Sequence, residues 1–214
     1  MSGKRAAVTN WTRYVKTPVV FVAGCASDKS AVLRWGKRWP GATFHLFEPE
    51  PSNVAMLGRA FGRNPRITVN AMALSDQVGT MDFYANRIPM ISSRLPLNRA
   101  MPDFPESWGH ETVMQVPTMT VDAYCAENSI RGIGLFELDV QGGELAVLRG
   151  AADTLRRGGF DVLIVEVFYE AIYEDVPLEP MVSNYMARFG YRAVLNRPQS
   201  VGGRSADIIY ARGQ

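Results

Sequence analysis

The sequence contains little of what would place it in a specialised class of proteins. Two cysteines in 214 residues, Cys25 and Cys125, cannot build a disulfide framework, so we interpret them as reduced thiols. The 23 lysines and arginines nearly balance the 21 aspartates and glutamates, which leaves no dense basic cluster for nucleic acid or a membrane surface. The first twenty residues lack a signal-peptide core, and no apolar run approaches the roughly 20 residues that cross a bilayer. We therefore expect a cytoplasmic protein without a membrane span and without a nucleic-acid partner.

What remains is an ordinary globular composition, with 47% hydrophobic and 21% charged residues. The length predicts a single domain over residues 1–214, with an N-terminal extension at 1–17. Residues 85–112 show no clear hydrophobic period and contain four prolines. Loops of this length are usually functional or disordered, and we interpret this one as an irregular loop on the substrate side of the protein.

Short apolar runs alternate with amphipathic segments, a pattern typical of a largely parallel sheet covered by helices on both faces. The runs predict buried strands at 19–24, 43–47, 67–74, 133–140 and 161–167. Helices are predicted at 30–39, 52–61, 144–157 and 178–189. An antiparallel strand pair at one sheet edge is predicted at 191–195 and 206–211. The sequence thus indicates an α/β fold with about seven strands.

The turn after the first predicted strand is a candidate ligand loop. In an open α/β sheet, ligands bind beyond the carboxyl ends of the strands, and Gly24 lets the backbone come close to a ligand there. The GxGxxG pattern of dinucleotide-binding proteins is absent, so no pyrophosphate site is predicted. Asp28 and Ser30 are equally suited to capping the helix that follows.

The second predicted strand ends in Glu48, about twenty residues after that loop. An acid in this position can accept hydrogen bonds from both ribose hydroxyls of a nucleoside. A ribose-binding acid without a pyrophosphate loop suits a nucleoside cofactor that has no pyrophosphate, and S-adenosylmethionine is such a cofactor. The alternative is a solvated surface acid before a proline turn.

Further acidic side chains follow the fourth and fifth predicted strands. Asp139 leaves the fourth strand at the centre of the sheet, Glu144 lies on the turn into the next helix, and Glu166 lies near the end of the fifth strand. Carboxylates that converge on one crevice can act as a general base, hold an ammonium group or bind a hard cation such as Mg2+. Alternatively, Glu144 caps its helix and Glu166 forms a buried ion pair.

Five segments in a fixed order carry a resemblance to a known family. They are Phe47-Glu48-Pro49-Glu50-Pro51, Ala73-Leu74-Ser75-Asp76 followed by Gly79, Thr120-Val121-Asp122, Leu138 to Glu144 followed by Val147 to Ala151, and Val165-Glu166. In order and separation they resemble FkbM-type S-adenosylmethionine-dependent methyltransferases, over roughly residues 18 to 170.

The resemblance implies a class I methyltransferase fold, which is a Rossmann-like three-layer sandwich. Its seven-stranded, mostly parallel sheet would have the order 3-2-1-4-5-7-6, with strand 7 antiparallel. O-methylation is the usual activity that the resemblance implies, with S-adenosylmethionine as the cofactor. The implied cofactor-binding residues are Gly24, Cys25, Ser27, Asp28, Glu48, Pro49, Leu74, Ser75, Asp76 and Asp139.

The first loop departs from the Asp-x-Gly-Ala-Asn-x-Gly pattern that is usual in the family. Val22 stands where the acid is expected, Ala26 replaces the asparagine, and Asp28 replaces the second glycine. The missing acid must be compensated by another group, or the affinity for the cofactor falls. Gln141 also replaces the commoner glutamate, which removes one charge from any metal or base cluster.

Methyl transfer to an alcohol needs a group that takes the hydroxyl proton. The candidate bases are Asp139, Glu166 and, if the 85–112 loop folds over the site, His110. A solvated loop histidine is the alternative for His110. The same loop supplies polar and aromatic side chains for an acceptor, namely Ser92, Ser93, Arg94 and Trp108. They suit a sugar as well as a phenolic or polyketide-like molecule, and Trp108 also suits packing of the loop against the core.

Three function classes follow from these features. The first is an O-methyltransferase that acts on a hydroxyl of a small molecule or sugar. The second is a methyltransferase-fold protein that has lost catalysis and serves as a binding or scaffold partner, which the altered first loop favours. The third, a nicotinamide-dependent oxidoreductase, lacks the glycines that a pyrophosphate site needs.

Overall fold

The computed structural model describes residues 11–26, 28–109, 111–198 and 203–213. Within them the chain forms ten β-strands and six α-helices. The strands are β1 (Val19–Ala23), β2 (Thr43–Phe47), β3 (Ile67–Asn70), β4 (Ala73–Leu74), β5 (Gly79–Asn86), β6 (Glu111–Met119), β7 (Ile133–Leu138), β8 (Phe160–Phe168), β9 (Tyr191–Pro198) and β10 (Ser205–Arg212). The helices are α1 (Ser30–Arg38), α2 (Pro51–Phe61), α3 (Val121–Glu127), α4 (Glu144–Arg149), α5 (Ala152–Arg156) and α6 (Glu179–Ala187). In this part of the chain, none of the helices combines the length and apolarity that crossing a membrane requires.

Seven of the described strands form one large sheet with the order β3-β2-β1-β7-β8-β10-β9. The first five run parallel, whereas β10 is antiparallel to both β8 and β9. The numbering differs from the predicted 3-2-1-4-5-7-6 because β4, β5 and β6 are counted here and belong to another sheet. When these three are left out, the strands of the large sheet follow the predicted order. A mostly parallel, seven-stranded sheet is therefore confirmed.

The central strands are apolar on both faces because helices cover both sides of the sheet. Successive residues of a strand point to opposite faces. Phe21 and Phe136 accordingly belong to one hydrophobic core, and their neighbours Val22 and Leu135 belong to the other. This double burial produces the unbroken apolar runs from which the strands were predicted.

A second described sheet, with the order β4-β6-β5, corrects the prediction for two segments. The predicted strand 67–74 ends at Asn70, and Ala73–Leu74 pairs with β6 instead of continuing in the large sheet. The 85–112 segment is irregular only between β5, which ends at Asn86, and β6, which begins at Glu111. Few side chains of β5 and β6 are buried, so their alternation of apolar and polar residues is weak.

The predicted helix 144–157 is interrupted between α4 and α5. Gly150 ends α4 where the chain passes the turn after β4, and a Cβ at Gly150 would lie 2.0 Å from the carbonyl oxygen of Ser75. The backbone therefore comes so close to a neighbouring segment that only glycine fits, and the helix restarts after it.

The ends of the central strands are held together by backbone hydrogen bonds. The N–H of Gly24 donates to the carbonyl oxygen of Phe47 over 3.2 Å, and the N–H of Asp139 donates to that of Ala23 over 3.1 Å. The segments that follow β1, β2 and β7 thus meet at one edge of the large sheet, which positions their polar side chains next to one another.

Candidate active site

A cavity of about 620 Å³ opens at this edge of the large sheet. Its walls come from the turn after β1, the end of β2, the segment after β7, the end of β8 and the residues between β5 and β6. Volumes of about 300 to 1,000 Å³ are usual for sites that hold cofactors and small molecules. Open α/β sheets also bind their ligands at this edge. The cavity is therefore the candidate active site.

The first loop begins with Gly24, whose φ is +80°. A Cβ at this position would lie 1.5 Å from the carbonyl oxygen of Asp139, so no other residue fits without moving the end of β7. Cys25 lies next to it in the cavity wall. Burial raises the pKa of the Cys25 thiol far above its ordinary range, which keeps the thiol protonated.

Asp28 lines the cavity and also holds the start of α1. Its carboxylate accepts hydrogen bonds from the hydroxyl of Ser30 over 2.6 Å and from the N–H of Ser30 over 2.8 Å. The hydrogen bond from the Ser30 hydroxyl lowers the pKa of Asp28, and backbone N–H groups lower it further. Partial burial opposes this shift. The sequence left open whether Asp28 supports the start of this helix, and its two hydrogen bonds with Ser30 show that it does. Ser27, the other predicted residue of this loop, lies outside the described residues.

Glu48 and Pro49 follow β2 in the cavity wall. Glu48 is only 3% exposed, and its Oε1 accepts hydrogen bonds from the N–H of Glu50 over 2.9 Å and the amide of Asn53 over 3.4 Å. Burial raises the pKa of Glu48, whereas N–H donors from Glu50, Asn53 and Ala26 oppose that shift. Glu48 is therefore a buried hydrogen-bond acceptor and not a solvated surface acid.

The three predicted residues after β4 separate into two groups. Leu74 lies in the cavity wall, whereas Ser75 and Asp76 are not part of the described lining. The N–H of Ser75 donates to the carbonyl oxygen of Met119, and Asp76 lies 4.0 Å from the guanidinium of Arg94. Of the three, Leu74 lines the cavity, and Asp76 lies beside another lining residue, Arg94.

Three carboxyl groups converge, as the sequence predicted, two from the segment after β7 and one from near the end of β8. Oxygen atoms of Asp139, Glu144 and Glu166 lie within 4.8 Å of one another. Glu144 does not point a free carboxylate into the cavity. Its oxygens accept hydrogen bonds from the N–H groups of Val140 and Gly142, with a distance of 2.9 Å to each. Glu144 therefore clamps the turn that carries Asp139, while Asp139 and Glu166 line the cavity.

Gln141 connects Asp139 and Glu166. Its side-chain Nε2 donates to Asp139 Oδ1 and to Glu166 Oε2 over 2.7 Å each, and its Oε1 accepts the hydroxyl of Tyr173 over 2.7 Å. Its backbone has a φ of +55°, and its carbonyl oxygen accepts the hydroxyl of Ser93. The turn after β7 is thus tied both to β8 and to the segment between β5 and β6.

Burial and mutual repulsion disfavour the charged forms of the acids in this cluster. Burial raises the pKa of Asp139 and, more strongly, that of Glu166, which the neighbouring Asp139 carboxylate raises further. A hydrogen bond between these two side chains favours the ionised form of Asp139 and the protonated form of Glu166. Burial also raises the pKa of Glu144 to about 8. Of the two side chains, Glu166 therefore holds a proton more tightly than Asp139 does.

A divalent metal does not fit this donor set as it stands. The position between Asp139 and Glu166 that a cation would share is taken by the N–H donors of Gln141. The third carboxylate, that of Glu144, is occupied by backbone N–H groups. Hard cations require several oxygen ligands that are free to coordinate. The proton chemistry of this cluster therefore belongs to the side chains themselves.

The predicted acceptor residues lie around the outer part of the cavity. Ser92, Arg94 and Trp108 line it. Ser93 does not belong to the described lining, because it is fully buried with its hydroxyl bonded to the carbonyl oxygen of Gln141. Ser93 thus positions the turn after β7 and cannot contact an acceptor there. His110, the third candidate base, lies outside the described residues.

Glu137 is a cavity residue that the sequence analysis did not single out. Its register partner across β1 and β7 is Val22, the position at which the first loop lacks an acid. Glu137 Oε1 accepts a hydrogen bond from Arg34 over 2.8 Å, and Oε2 accepts one from the indole of Trp35. Burial raises the pKa of Glu137, and Arg34 and Trp35 oppose that shift. Glu137 is an acid inside a predicted buried strand, and this unusual position was the signal in the sequence that could have identified it as a site residue.

Sequence comparison connects the chain to methyltransferases. The model of the methyltransferase FkbM domain family matches residues 24–193. A curated relative, the 2-O-methyltransferase NoeI of Sinorhizobium fredii, is 27% identical over 173 residues, which cover 77% of this chain and 70% of NoeI.

Structure comparison shows the fold. The magnesium protoporphyrin IX methyltransferase of Synechocystis PCC 6803 with bound SAM has a TM-score of 0.53 and 11% identity, covering 98% of this chain and 79% of that chain. Aeropyrum pernix fibrillarin with bound S-adenosyl-L-methionine has a TM-score of 0.50 and 15% identity, and the match covers 97% of this chain and 74% of that chain. With its seven-stranded sheet and its family match, the chain has the class I methyltransferase fold and belongs to the FkbM methyltransferase domain family.

Proposed function

We propose that the protein is an S-adenosylmethionine-dependent O-methyltransferase that acts on a hydroxyl of a small molecule or a sugar. Its family and the 2-O-methyltransferase name of its relative support the reaction class. The observation that carries the proposal is that Gly24, Glu48 and the Asp139–Glu166 pair surround one cavity. A nucleoside-binding half and a proton-accepting group are therefore next to each other.

The residues of the inner cavity fit the proposed cofactor. Glu48 offers a buried acceptor to ribose hydroxyls, and Gly24 lets the backbone approach without a side chain. Pro49 and Leu74 supply apolar walls for a base. When bound, S-adenosylmethionine supplies an electrophilic methyl group on a sulfonium.

The contribution of Asp139 and Glu166 is to handle the proton of the acceptor hydroxyl. An alcohol is a weak nucleophile until its proton leaves. In this proposal the ionised Asp139 carboxylate would accept that proton as the oxygen–carbon bond forms and the bond between the methyl carbon and sulfur breaks, with S-adenosylhomocysteine as the leaving group. Glu166 and Gln141 donate hydrogen bonds to Asp139 and keep its carboxylate aimed at the cavity. The apolar walls exclude water, which would compete for the methyl group.

Calorimetric titration tests the cofactor half directly. The full chain is titrated with S-adenosylmethionine and S-adenosylhomocysteine, with NADH as the negative control. We expect micromolar binding of the first two, and a loss of about tenfold or more in Glu48→Ala, since a buried acceptor of a ligand hydroxyl is removed. Glu127→Ala, an exposed acid at the end of α3, is the matched control and leaves affinity unchanged.

The alternative function, a binding or scaffold protein without catalysis, predicts a different result. In that case a folded wild-type chain gives no heat with either S-adenosyl compound. The altered first loop, with Val22, Ala26 and Asp28, is the feature that favours this alternative.

A further inference from the structure

The outer part of the cavity has a wall that is chiefly apolar. Ile91, Trp108, Phe168 and Ile172 line it, and they belong to one hydrophobic cluster separate from the two main cores. Met90 lies at the rim and is 71% exposed. An exposed methionine beside an apolar wall offers further contact area to a ligand with apolar surface.

The polar side chains of this outer part already have hydrogen-bond partners within the described residues. The hydroxyl of Ser92 accepts the N–H of Asn86, and the hydroxyl of Tyr173 donates to Gln141. A sugar ring carries several hydroxyls, and each buried one without a partner weakens binding. The side chains of Ser92 and Tyr173 are thus partly committed to contacts within the protein, which leaves fewer of their donors and acceptors for the hydroxyls of a sugar.

Two arginines give the outer cavity its positive charge. Arg94 and Arg204 both line it, and about a third of each side chain remains exposed. The contact between Arg94 and Asp76 is long, at 4.0 Å. Arg204 lies 3.0 Å from Glu170, whose side chain is 61% exposed. Neither pairing is strong in such exposure, so both guanidinium groups can turn to an anionic ligand.

Resting on the proposed methyltransferase function, we infer that the acceptor is a hydroxylated molecule with a flat apolar body and an anionic substituent, of the class of phenolic carboxylates. The apolar body lies against Trp108 and Ile172, and the anion faces Arg94 and Arg204. The hydroxyl to be methylated then points to the Asp139–Glu166 pair.

The test is calorimetry on the full chain saturated with S-adenosylhomocysteine. The probes are 3,4-dihydroxybenzoate, its uncharged methyl ester, and methyl α-D-glucopyranoside. We expect the acid to bind about tenfold more tightly than the ester, and the ester more tightly than the glucoside. Trp108→Ala weakens both aromatic probes by about fivefold or more, because the flat apolar contact is lost.

Charge variants separate the anionic contact from a general effect. Arg94→Gln and Arg204→Gln each lower the affinity for the acid by about fivefold and leave the ester within about twofold. Arg156→Gln, an exposed arginine paired with Asp153, leaves both probes unchanged. Binding of S-adenosylhomocysteine is measured first in every variant, so a failure of the proposed function is seen before any acceptor is added.

Three results would overturn the inference while leaving the proposed function intact. One is a glucoside that binds as tightly as the ester. Another is the absence of aromatic binding in a chain that binds S-adenosylhomocysteine. The third is equal affinity for acid and ester, which would remove the role of the two arginines.

Discussion

Glu137 shows, at the scale of single residues, how a carboxylate on one strand can hold a ligand loop that follows another. Both of its oxygens accept hydrogen bonds from α1, through Arg34 and Trp35. Since α1 begins directly after the first loop, this contact fixes the far end of the loop, while Gly24 fixes the near end against Asp139. The first loop is thus anchored at two points without an acid at position 22.

Glu137→Gln is expected to raise the dissociation constant for S-adenosylhomocysteine about tenfold, because a charge-assisted hydrogen bond to the loop's helix is weakened. Arg34→Gln breaks the same contact and has a similar effect. If the two side chains act together, the double variant binds S-adenosylhomocysteine about as tightly as the single variant with the lower affinity. Calorimetry on the three variants measures this, and unchanged affinity in Glu137→Gln would contradict the role assigned to it.

Gly24→Ala is expected to lower the free energy of unfolding by about 2 kcal/mol or more, since the added Cβ meets the Asp139 backbone and the φ of +80° is strained. Binding of S-adenosylhomocysteine should be lost with it. Gly41→Ala is the matched control, because a Cβ there meets no atom within 4 Å. Urea unfolding compares the two variants, and equal stabilities would show that the first loop adapts.

At the scale of elements, the turn between β7 and α4 connects the whole site. Glu144 clamps its backbone, Ser93 joins it to the segment between β5 and β6, and Gln141 joins it to β8. The Gln141 amide is the central part, because it donates to Asp139 and Glu166 at once. A carboxylate in its place could donate to neither acid and would repel the ionised form of Asp139.

Gln141→Glu is expected to lower turnover about tenfold or more, since the new carboxylate cannot donate to Asp139 and Glu166 and adds like charge to a buried cluster. Gln115→Glu is the matched control, because Gln115 also donates to an acid, Asp82, on the exposed β5–β6 pair. Wild-type turnover should persist in excess EDTA, because Gln141 occupies the place of a cation. Loss of activity with EDTA, restored by Mg2+, would contradict this account of the turn.

Whether a strand could be predicted from the sequence depended on how many of its side chains are buried. The strands β1, β7 and β8 were predicted because both of their faces are covered, so their residues form unbroken apolar runs. The second sheet was missed because few side chains of β5 and β6 are buried, so their hydrophobic alternation is weak. The convergence of Asp139, Glu144 and Glu166 was predictable from strand ends. The clamp by Glu144 and the link through Gln141 were not, since they depend on a turn with a positive φ.

At the scale of the whole molecule, the site concentrates buried acids. Burial raises the pKa values of Glu48, Glu137 and Glu166, and it raises that of Glu144 to about 8. Each of these groups binds its proton more tightly in the folded chain than in the unfolded one. Their contribution to stability is therefore fully present below the ordinary pKa of 4.5 and is lost as the pH rises through the folded values.

The ligand-free protein is accordingly expected to be more stable at pH 5 than at pH 8, by on the order of 2 kcal/mol. Urea unfolding at the two pH values measures the difference. Glu144→Gln removes one of the titrating groups and should reduce it. A protein that is more stable at pH 8 would show that these carboxyl groups are ionised without cost in the folded state.

A crystal structure of the full chain grown with S-adenosylhomocysteine would test most directly whether this cavity is the cofactor site. We expect density for the ligand in the cavity at the carboxyl ends of β1, β2 and β7. The ribose hydroxyls should lie within hydrogen-bond distance of the Glu48 carboxylate, and the homocysteine part should lie beside Gly24 and Asp139. A ligand bound elsewhere on the chain, or a ribose that contacts no oxygen of Glu48, would contradict the claim.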